Sequence, residues 1–194
     1  TTTQKEDIEK SDVKIYENFY IEQKLTNGST VRFFKNRKDV DKVCLMKGRM
    51  PEKSGEIAVD RMYAENNSLE IGDWVKSGKK AFRITGLVAL SDYSALFQNN
   101  NDTMFDSVKF GVAIVTDKEF EALNQVKLQY NYAWVYDKKP ETEKKEKKMA
   151  EDLMEDMTGV VTLESYVPQF QNQSICFTGD DMGSDRAMMV MLLY

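Results

Sequence analysis

Histidine is absent from the 194 residues of the chain. This absence removes Ser-His-Asp and Cys-His nucleophile activation, imidazole general bases and His-ligated metal sites. Most common hydrolase designs are thereby excluded, although catalysis by carboxylate or lysine side chains is not. The sequence also contains no Walker A motif, no G-x-G-x-x-G and no G-x-S-x-G, and no carboxylate pair stands out as an acid–base couple. We therefore expect no catalytic residue, no metal site and no cofactor.

Cysteine is almost as scarce, with only Cys44 and Cys176 in the chain. The two lie far apart and lack C-x-x-C spacing. Because cysteine is among the most often buried residue types, the pattern favours two buried free thiols. A disulfide between them stays open as the alternative, and so few cysteines do not decide the redox compartment.

Long hydrophobic runs are missing too. A complete transmembrane helix needs roughly 20 apolar residues, and the chain has no such run. Its polar beginning at Thr1 lacks the apolar core of a signal peptide, and we expect a piece of a longer protein. The apolar run 187–194 fits either a core strand or the first turns of a membrane helix, and the acidic segment before it favours the second.

An excess of positive charge is also lacking, because the net charge is −5 and the isoelectric point is about 5.0. No basic field exists to hold the phosphates of a nucleic acid. An anionic membrane surface would not attract the chain either. We therefore expect no nucleic-acid partner.

What is present is a series of short periodic segments that predict an α+β fold. Period-2 alternation and bounding turn residues indicate strands, and Asn27-Gly28 predicts a hairpin turn. A capping box from Thr116 to Glu119 begins a short helix, and an apolar stripe marks a longer one. Strands are predicted at 13–25, 30–34, 43–46 (as a buried strand), 56–60, 74–76, 81–90, 110–115, 130–137 and 160–163, and helices at 61–67, after 116 and at 141–157.

Residues 91–109 form the longest predicted loop. Loops of this length inside a compact domain are often functional or mobile. Its apolar side chains could pack against the domain or contact a ligand or partner. We assign that contact to Tyr93, Leu96, Phe97 and Phe105 as a hypothesis.

The stretch 48–90 is the most strongly patterned part of the chain, and its residue types are those of a scaffold. Glycine and proline set turns, isoleucine fills a core, and carboxylates hold local hydrogen bonds. The residues that define the pattern are Gly48, Arg49, Pro51, Glu56, Ile57, Gly72, Asp73 and Gly86.

The order of these motifs resembles the extracytoplasmic, periplasmic-core-like domain of FtsX/MacB-like ABC transporter permeases. The chain reads Gly48-Arg49-x-Pro51, then Glu56-Ile57-Ala58-Val59-Asp60, Ala64, Ile71-Gly72-Asp73 and Phe82-Arg83-Ile84-Thr85-Gly86-Leu87-Val88. Each piece alone is a weak signal, and their order and spacing carry the resemblance.

The resemblance implies a domain between the first and second transmembrane helices of a permease. It implies a mixed α/β layer built from both chain ends, 12–47 and 116–177, and a small inserted β-rich subdomain, 48–115. Residues 1–11 would be a linker from the first membrane helix. Residues 178–194 would be a juxtamembrane segment and the start of the second.

The implied function is mechanical and not enzymatic. A separate cytoplasmic ABC ATPase subunit would hydrolyse ATP, and the domain, at the cell membrane on its extracytoplasmic side, would move for substrate export or partner regulation. Implied partners are that ATPase, the membrane through flanking helices, a second permease, and a peptide, lipid or protein ligand. The alternative is a freestanding extracellular ligand-binding or sensor module.

Overall fold

The computed structural model describes residues 13–99, 102–136, 138 and 141–158. They fall into two compact units, one with residues 18–99 and 102–131 and a smaller one with the remaining described residues. The mixed sheet and few helices confirm the predicted α+β class. In chain order the elements are β1 Val13–Glu17, β2 Tyr20–Lys24, β3 Thr30–Lys35, β4 Val43–Gly48, β5 Glu56–Asp60, α1 Arg61–Asn66, β6 Trp74–Ser77, β7 Lys80–Leu90, β8 Phe110–Val115, α2 Asp117–Ala122, β9 Leu128–Gln129, β10 Tyr132–Tyr136 and α3 Glu143–Thr158.

The smaller unit pairs β1 antiparallel with β10 and contains α3. The helix starts two residues later than predicted, because the Thr142 hydroxyl accepts a hydrogen bond from the Lys145 amide at 3.2 Å and caps it. Ala150 and Leu153, three residues apart on one helix face, are buried. Ile15 of β1 is buried as well.

The larger unit is built on an eight-stranded mixed sheet. Seven strands follow the order β4-β7-β5-β8-β3-β2-β9. The eighth, β6, pairs with the first residues of β7, and β4 pairs with the last ones. The pairs β3–β8 and β5–β7 are parallel, and the others are antiparallel. The predicted subdomain boundaries at 47/48 and 115/116 stay a prediction, and this sheet takes strands from both sides of them.

Both faces of the sheet are covered at its centre, so every residue of β8 is buried. Neighbouring residues of a strand point to opposite faces, and Phe33 and Phe34 show this. Phe33 stacks obliquely on Phe82 on the face that α1 covers, with ring centroids 5.2 Å apart. Phe34 meets Tyr93 of the 91–109 loop on the other face at 5.7 Å.

The predicted single strand 13–25 is two strands that belong to different units. The chain leaves the strand conformation at Asn18 and Phe19. The predicted alternation survives on both sides of this break, since Ile15, Ile21 and Leu25 are buried. The break follows from Asn18, whose side chain enters a buried polar network described below.

The hairpin at Asn27-Gly28 is confirmed, but its turn is longer than the predicted two residues. Leu25 accepts from the Gly28 amide at 3.0 Å and donates to Ser29 at 2.8 Å. Only Gly28 has a positive φ, at +89°. This is the three-residue hairpin loop that ends in a left-handed glycine.

The prediction that 43–46 forms a buried strand is wrong. Within the described chain β4 ends the sheet, and Leu45 and Met46 are 42% and 48% exposed. Cys44 is a free, exposed thiol and not a buried one. An apolar run does not reveal whether a strand lies at the centre or the edge of a sheet. Cys176 lies outside the described residues.

Other predictions also lie outside the described residues: the strand 160–163, the linker 1–11 and the segment 178–194. In the parts that are described, no helix has the length and apolar character to cross a bilayer.

Candidate functional site

The motif that begins at Gly48 brings the backbones of two paired strands unusually close together. Gly48 of β4 lies opposite Gly86 of β7. A Cβ atom on Gly86 would overlap the carbonyl oxygen of Arg49, and one on Gly48 would overlap that of Thr85. Gly48 also has a φ of +77°, so only glycine fits there without strain.

Arg49 and Glu56 close the loop that follows this close approach. The Arg49 guanidinium donates to both carboxylate oxygens of Glu56, at 2.9 and 2.5 Å. The same carboxylate accepts from the backbone amides of Glu52 and Lys53 on the Pro51 loop, at 3.0 and 3.2 Å. The hydrogen bonds from Arg49, and then those from the backbone, lower the pKa of Glu56 to about 2.

The remaining motif residues set the approach to β6. The Gly72 amide donates to the Ile84 carbonyl at 2.8 Å, and Asp73 accepts from the Glu70 amide at 2.8 Å. Ile57 is buried in the core. The contacts described for these motif residues are therefore structural: they hold loops and paired strands in place.

Glu119 has a role that the capping-box pattern did not reveal. The Thr116 hydroxyl accepts from the Glu119 amide at 3.2 Å, as predicted. In a capping box the glutamate carboxylate also accepts from the backbone amide of the cap residue, here Thr116. This part of the prediction is wrong, because the Glu119 carboxylate accepts from the Gly55 amide and from Lys80, both at 2.9 Å. The Glu119 side chain is 6% exposed. Its two hydrogen bonds connect α2 to the loop before β5 and to the start of β7.

The 91–109 loop is anchored at its first part. Leu96 is 1% exposed and belongs to the core, and Tyr93 packs on Phe34 and Phe110. Leu96 and Tyr93 therefore pack against the domain, which is the first of the two roles considered for the apolar residues of this loop. Phe97 and Phe105 are half-buried, like Tyr93, and their rings meet edge to face with centroids 5.8 Å apart.

Arg32 of β3 ties this loop to the sheet. Its guanidinium lies 4.5 Å from the ring centroid of Tyr20 and 4.9 Å from that of Phe110. It donates to the Tyr93 hydroxyl at 3.1 Å and to the Gln98 carbonyl at 2.6 Å. A charged residue among the apolar residues of a strand was the only sequence signal of this role.

A second polar network lies where β3 and β7 end. Arg37 donates to both carboxylate oxygens of Asp92, at 2.6 and 2.7 Å, and to the amide oxygen of Asn18 at 2.9 Å. The Arg37 and Asp92 side chains are only 8% and 12% exposed. Asp41 lies nearby with a positive φ of +47°. Burial, and to a smaller extent the Asp92 carboxylate, raises the pKa of Asp41 to about 6.

This pKa predicts that Asp41→Asn stabilises the chain at neutral pH. The folded state binds the Asp41 proton more tightly than the unfolded state, so stability falls as pH rises from about 3.8 to about 6 and then levels off. Asparagine removes the charge and tolerates positive φ. Allowing for partial exposure, we expect about 1 kcal/mol and a rise in Tm of about 2–4 °C at pH 7.5.

Thermal unfolding of wild type and variant at pH 7.5 and 4.5 checks this. The gain in Tm should shrink by more than half at pH 4.5. The control is Asp39→Asn, which removes an exposed carboxylate two residues away. An Asp41→Asn gain that is equal at both pH values would contradict the explanation.

The described residues offer no group of three or more His, Cys, Asp or Glu side chains that could hold a metal ion. Burial also raises the pKa of Asp60 to about 6, and its carboxylate accepts from the Tyr63 amide and caps α1. Two open surface depressions, of about 330 and 390 Å³, adjoin Gln23 of β2 and are lined by both polar and apolar groups.

Solved structures similar to this chain include two domains of transporters. One is the extracellular domain of the noncanonic ABC-type transporter YknZ from Gram-positive bacteria, with 14% identity, a TM-score of 0.40, and coverage of 80% of this chain and 84% of that one. The other is the periplasmic region of MacB from Actinobacillus actinomycetemcomitans, with 13% identity, a TM-score of 0.39, and coverage of 75% and 67%. No family model matches the chain, and no curated protein matches it significantly.

Proposed function

We propose that the chain is the extracytoplasmic domain of the permease subunit of an ABC transporter. In this role it couples ATP hydrolysis by a cytoplasmic subunit to movement outside the membrane, for export of a substrate or regulation of a partner. The observation that carries the proposal is the ordered motif from Gly48 to Val88. Its support is that the motif residues contact one another. Gly48 lies opposite Gly86 in the sheet. Arg49 forms an ion pair with Glu56, and the Gly72 amide donates to the Ile84 carbonyl.

The roles of the charged residues fit a mechanical domain. Glu56 and Asp60 close a loop and cap a helix, and Glu119 links elements that are distant in sequence. Each of these carboxylates makes hydrogen bonds that stabilise the fold. Such a scaffold can transmit force as a body, and its chemistry would be supplied by the separate ATPase.

We further propose that the 91–109 loop provides the surface that contacts a ligand or partner. Its first part, 91–98, is packed through Leu96 and the hydrogen bonds from Arg32. Phe97 in this part and Phe105 in the later part are half-buried, and Met104 is 82% exposed. These apolar side chains suit an apolar peptide, lipid or protein surface.

Thiol labelling of Cys44 tests the location, because this thiol is exposed. In a Cys176→Ser background, the full-length protein should react with a membrane-impermeant maleimide in intact spheroplasts. Cys44→Ser should abolish the signal. Labelling that appears only after lysis would overturn an extracytoplasmic location. A complete gene without apolar segments of about 20 residues on either side of this chain would overturn the permease assignment.

Complementation tests the loop. The double variant Phe97→Ser, Phe105→Ser in the full-length protein should restore at most about one tenth of the growth or resistance lost on gene deletion, since apolar contacts dominate such surfaces. Val126→Ser, at a 93% exposed position outside the loop, is the control. Wild-type complementation by a double variant that folds and reaches the membrane would contradict the proposed contact.

A further inference from the structure

Within the described residues, the chain passes between its two compact units at 17–18 and at 131–132. On the side of the larger unit the two crossings are joined. The Asn18 amide donates to the Asn131 carbonyl at 2.8 Å, and the rings of Phe19 and Tyr130 meet edge to face with centroids 5.0 Å apart. Asn18 therefore takes a direct part in holding the two crossings together.

Both polar atoms of the Asn18 side chain are hydrogen-bonded. The residue is 4% exposed. Its amide oxygen accepts from Arg37 at 2.9 Å, and its amide nitrogen donates to Asp92 at 3.3 Å. Because Arg37 and Asp92 also bind each other through two hydrogen bonds, the three side chains form a closed ring of contacts.

Asp92 belongs to the 3-10 turn Ser91–Tyr93, which begins the 91–109 loop. The next residue, Tyr93, accepts from Arg32, and Arg32 donates onward to the Gln98 carbonyl. A continuous path of hydrogen bonds and covalent bonds thus runs from the crossings at Asn18 into the loop.

This network is poorly explained by stability alone. A buried ion pair costs desolvation that its attraction often fails to recover. The Nε atom of Arg37 is also buried and has no hydrogen-bond partner among the described residues. What the arrangement does provide is a fixed position for Asn18 relative to the root of the loop.

We infer that the Asn18–Arg37–Asp92 network couples the chain crossings to the 91–109 loop, so that loosening one loosens the other. The inference does not depend on the proposed transporter role, because it concerns contacts within the larger unit. Coupling between two sites is reciprocal. A change at the crossing must therefore appear in the loop, and a change in the loop must appear at the crossing.

Hydrogen exchange of single amides in the 194-residue chain tests both directions. Asn18→Ala keeps the Arg37–Asp92 pair and cuts its link to the crossings. We expect it to speed exchange of the Phe97 amide, which donates to Ala95 at 2.9 Å, by about tenfold or more through local opening. In the other direction, Tyr93→Phe removes the bond from Arg32 and should speed exchange of the Asn18 amide.

The control is Lys80→Met, which breaks the Lys80–Glu119 ion pair of the same unit without touching the network. Amides of the β3–β8 ladder report whether each variant is folded. The inference is overturned if Asn18→Ala leaves Phe97 exchange at the wild-type rate. It is equally overturned if Lys80→Met speeds exchange at Phe97 and Asn18 as much as the network variants do. Should Tyr93→Phe disturb the ladder amides, the Asn18→Ala result decides alone.

Discussion

Replacing Gly48 by alanine is expected to cost about 3 kcal/mol of unfolding free energy, against about 1 kcal/mol for Gly28→Ala. Both glycines have positive φ, +77° and +89°, so the backbone strain of the two substitutions is similar. They differ in surroundings. An added Cβ on Gly48 meets the Thr85 carbonyl and comes within 2.6 Å of the Ile71 side chain, whereas nothing lies within 4 Å of one on Gly28.

Urea unfolding followed by the fluorescence of Trp74 on β6 measures this difference in a Trp134→Phe background. The gap between the two variants isolates the close approach of β4 to β7 from the cost of positive φ. Equal losses for Gly48→Ala and Gly28→Ala would mean that the two strands separate easily. The close approach of Gly48 to Gly86 would then not explain why the motif has glycine at both positions.

Gly111→Ala should be about as damaging, at about 3 kcal/mol, for a different reason. Gly111 of β8 has no unusual φ to accommodate, but Tyr63 of α1 lies directly over it. A Cβ there would sit 2.5 Å from two ring carbons of Tyr63. That ring is fully buried and held by a 2.7 Å hydrogen bond between its hydroxyl and that of Ser29, so it cannot swing away cheaply.

A double-mutant cycle identifies the ring as the cause. In a Tyr63→Ala background the cost of Gly111→Ala should fall by more than half, because the two ring carbons at 2.5 Å are gone and only the Cβ of residue 63, at 3.0 Å, stays close. In the control background Tyr63→Phe, which keeps the ring and loses only the hydroxyl, the cost should persist. A cost that is the same in the alanine and phenylalanine backgrounds would place the strain elsewhere in β8.

The local features of the fold could be predicted from the sequence because their causes are local. Alternating apolar residues located β5 to β8, and Asn27-Gly28 located the hairpin between β2 and β3. The prediction for β4 failed on burial, since the exposure of Leu45 depends on where its strand lies in the sheet. The strand 13–25 was divided at Asn18 by partners 19 and 74 residues away.

The candidate site shows the same limit. Tyr93, Leu96, Phe97 and Phe105 stood out because they are apolar residues in a long loop. Pattern alone could not separate those that pack from those that remain accessible. Arg32 was not recognised, because its bonding partners Tyr93 and Gln98 lie 61 and 66 residues further along the chain. The hydrogen-bond partners of a charged residue can be identified only once the fold is known, because they lie far away in the sequence.

The parallel pairing of β3 with β8 also has a consequence for how the chain is made. Thr30 pairs with Phe110, 80 positions later. At about 5–20 residues per second on the ribosome, β3 waits about 4–16 s for this neighbour. Until then the β2–β3 hairpin, with Phe33 and Phe34 on opposite faces, cannot complete its core, and contacts this distant in sequence form slowly. Newly synthesised chains therefore pass through a period in which a hydrophobic hairpin is open to capture by chaperones or by one another.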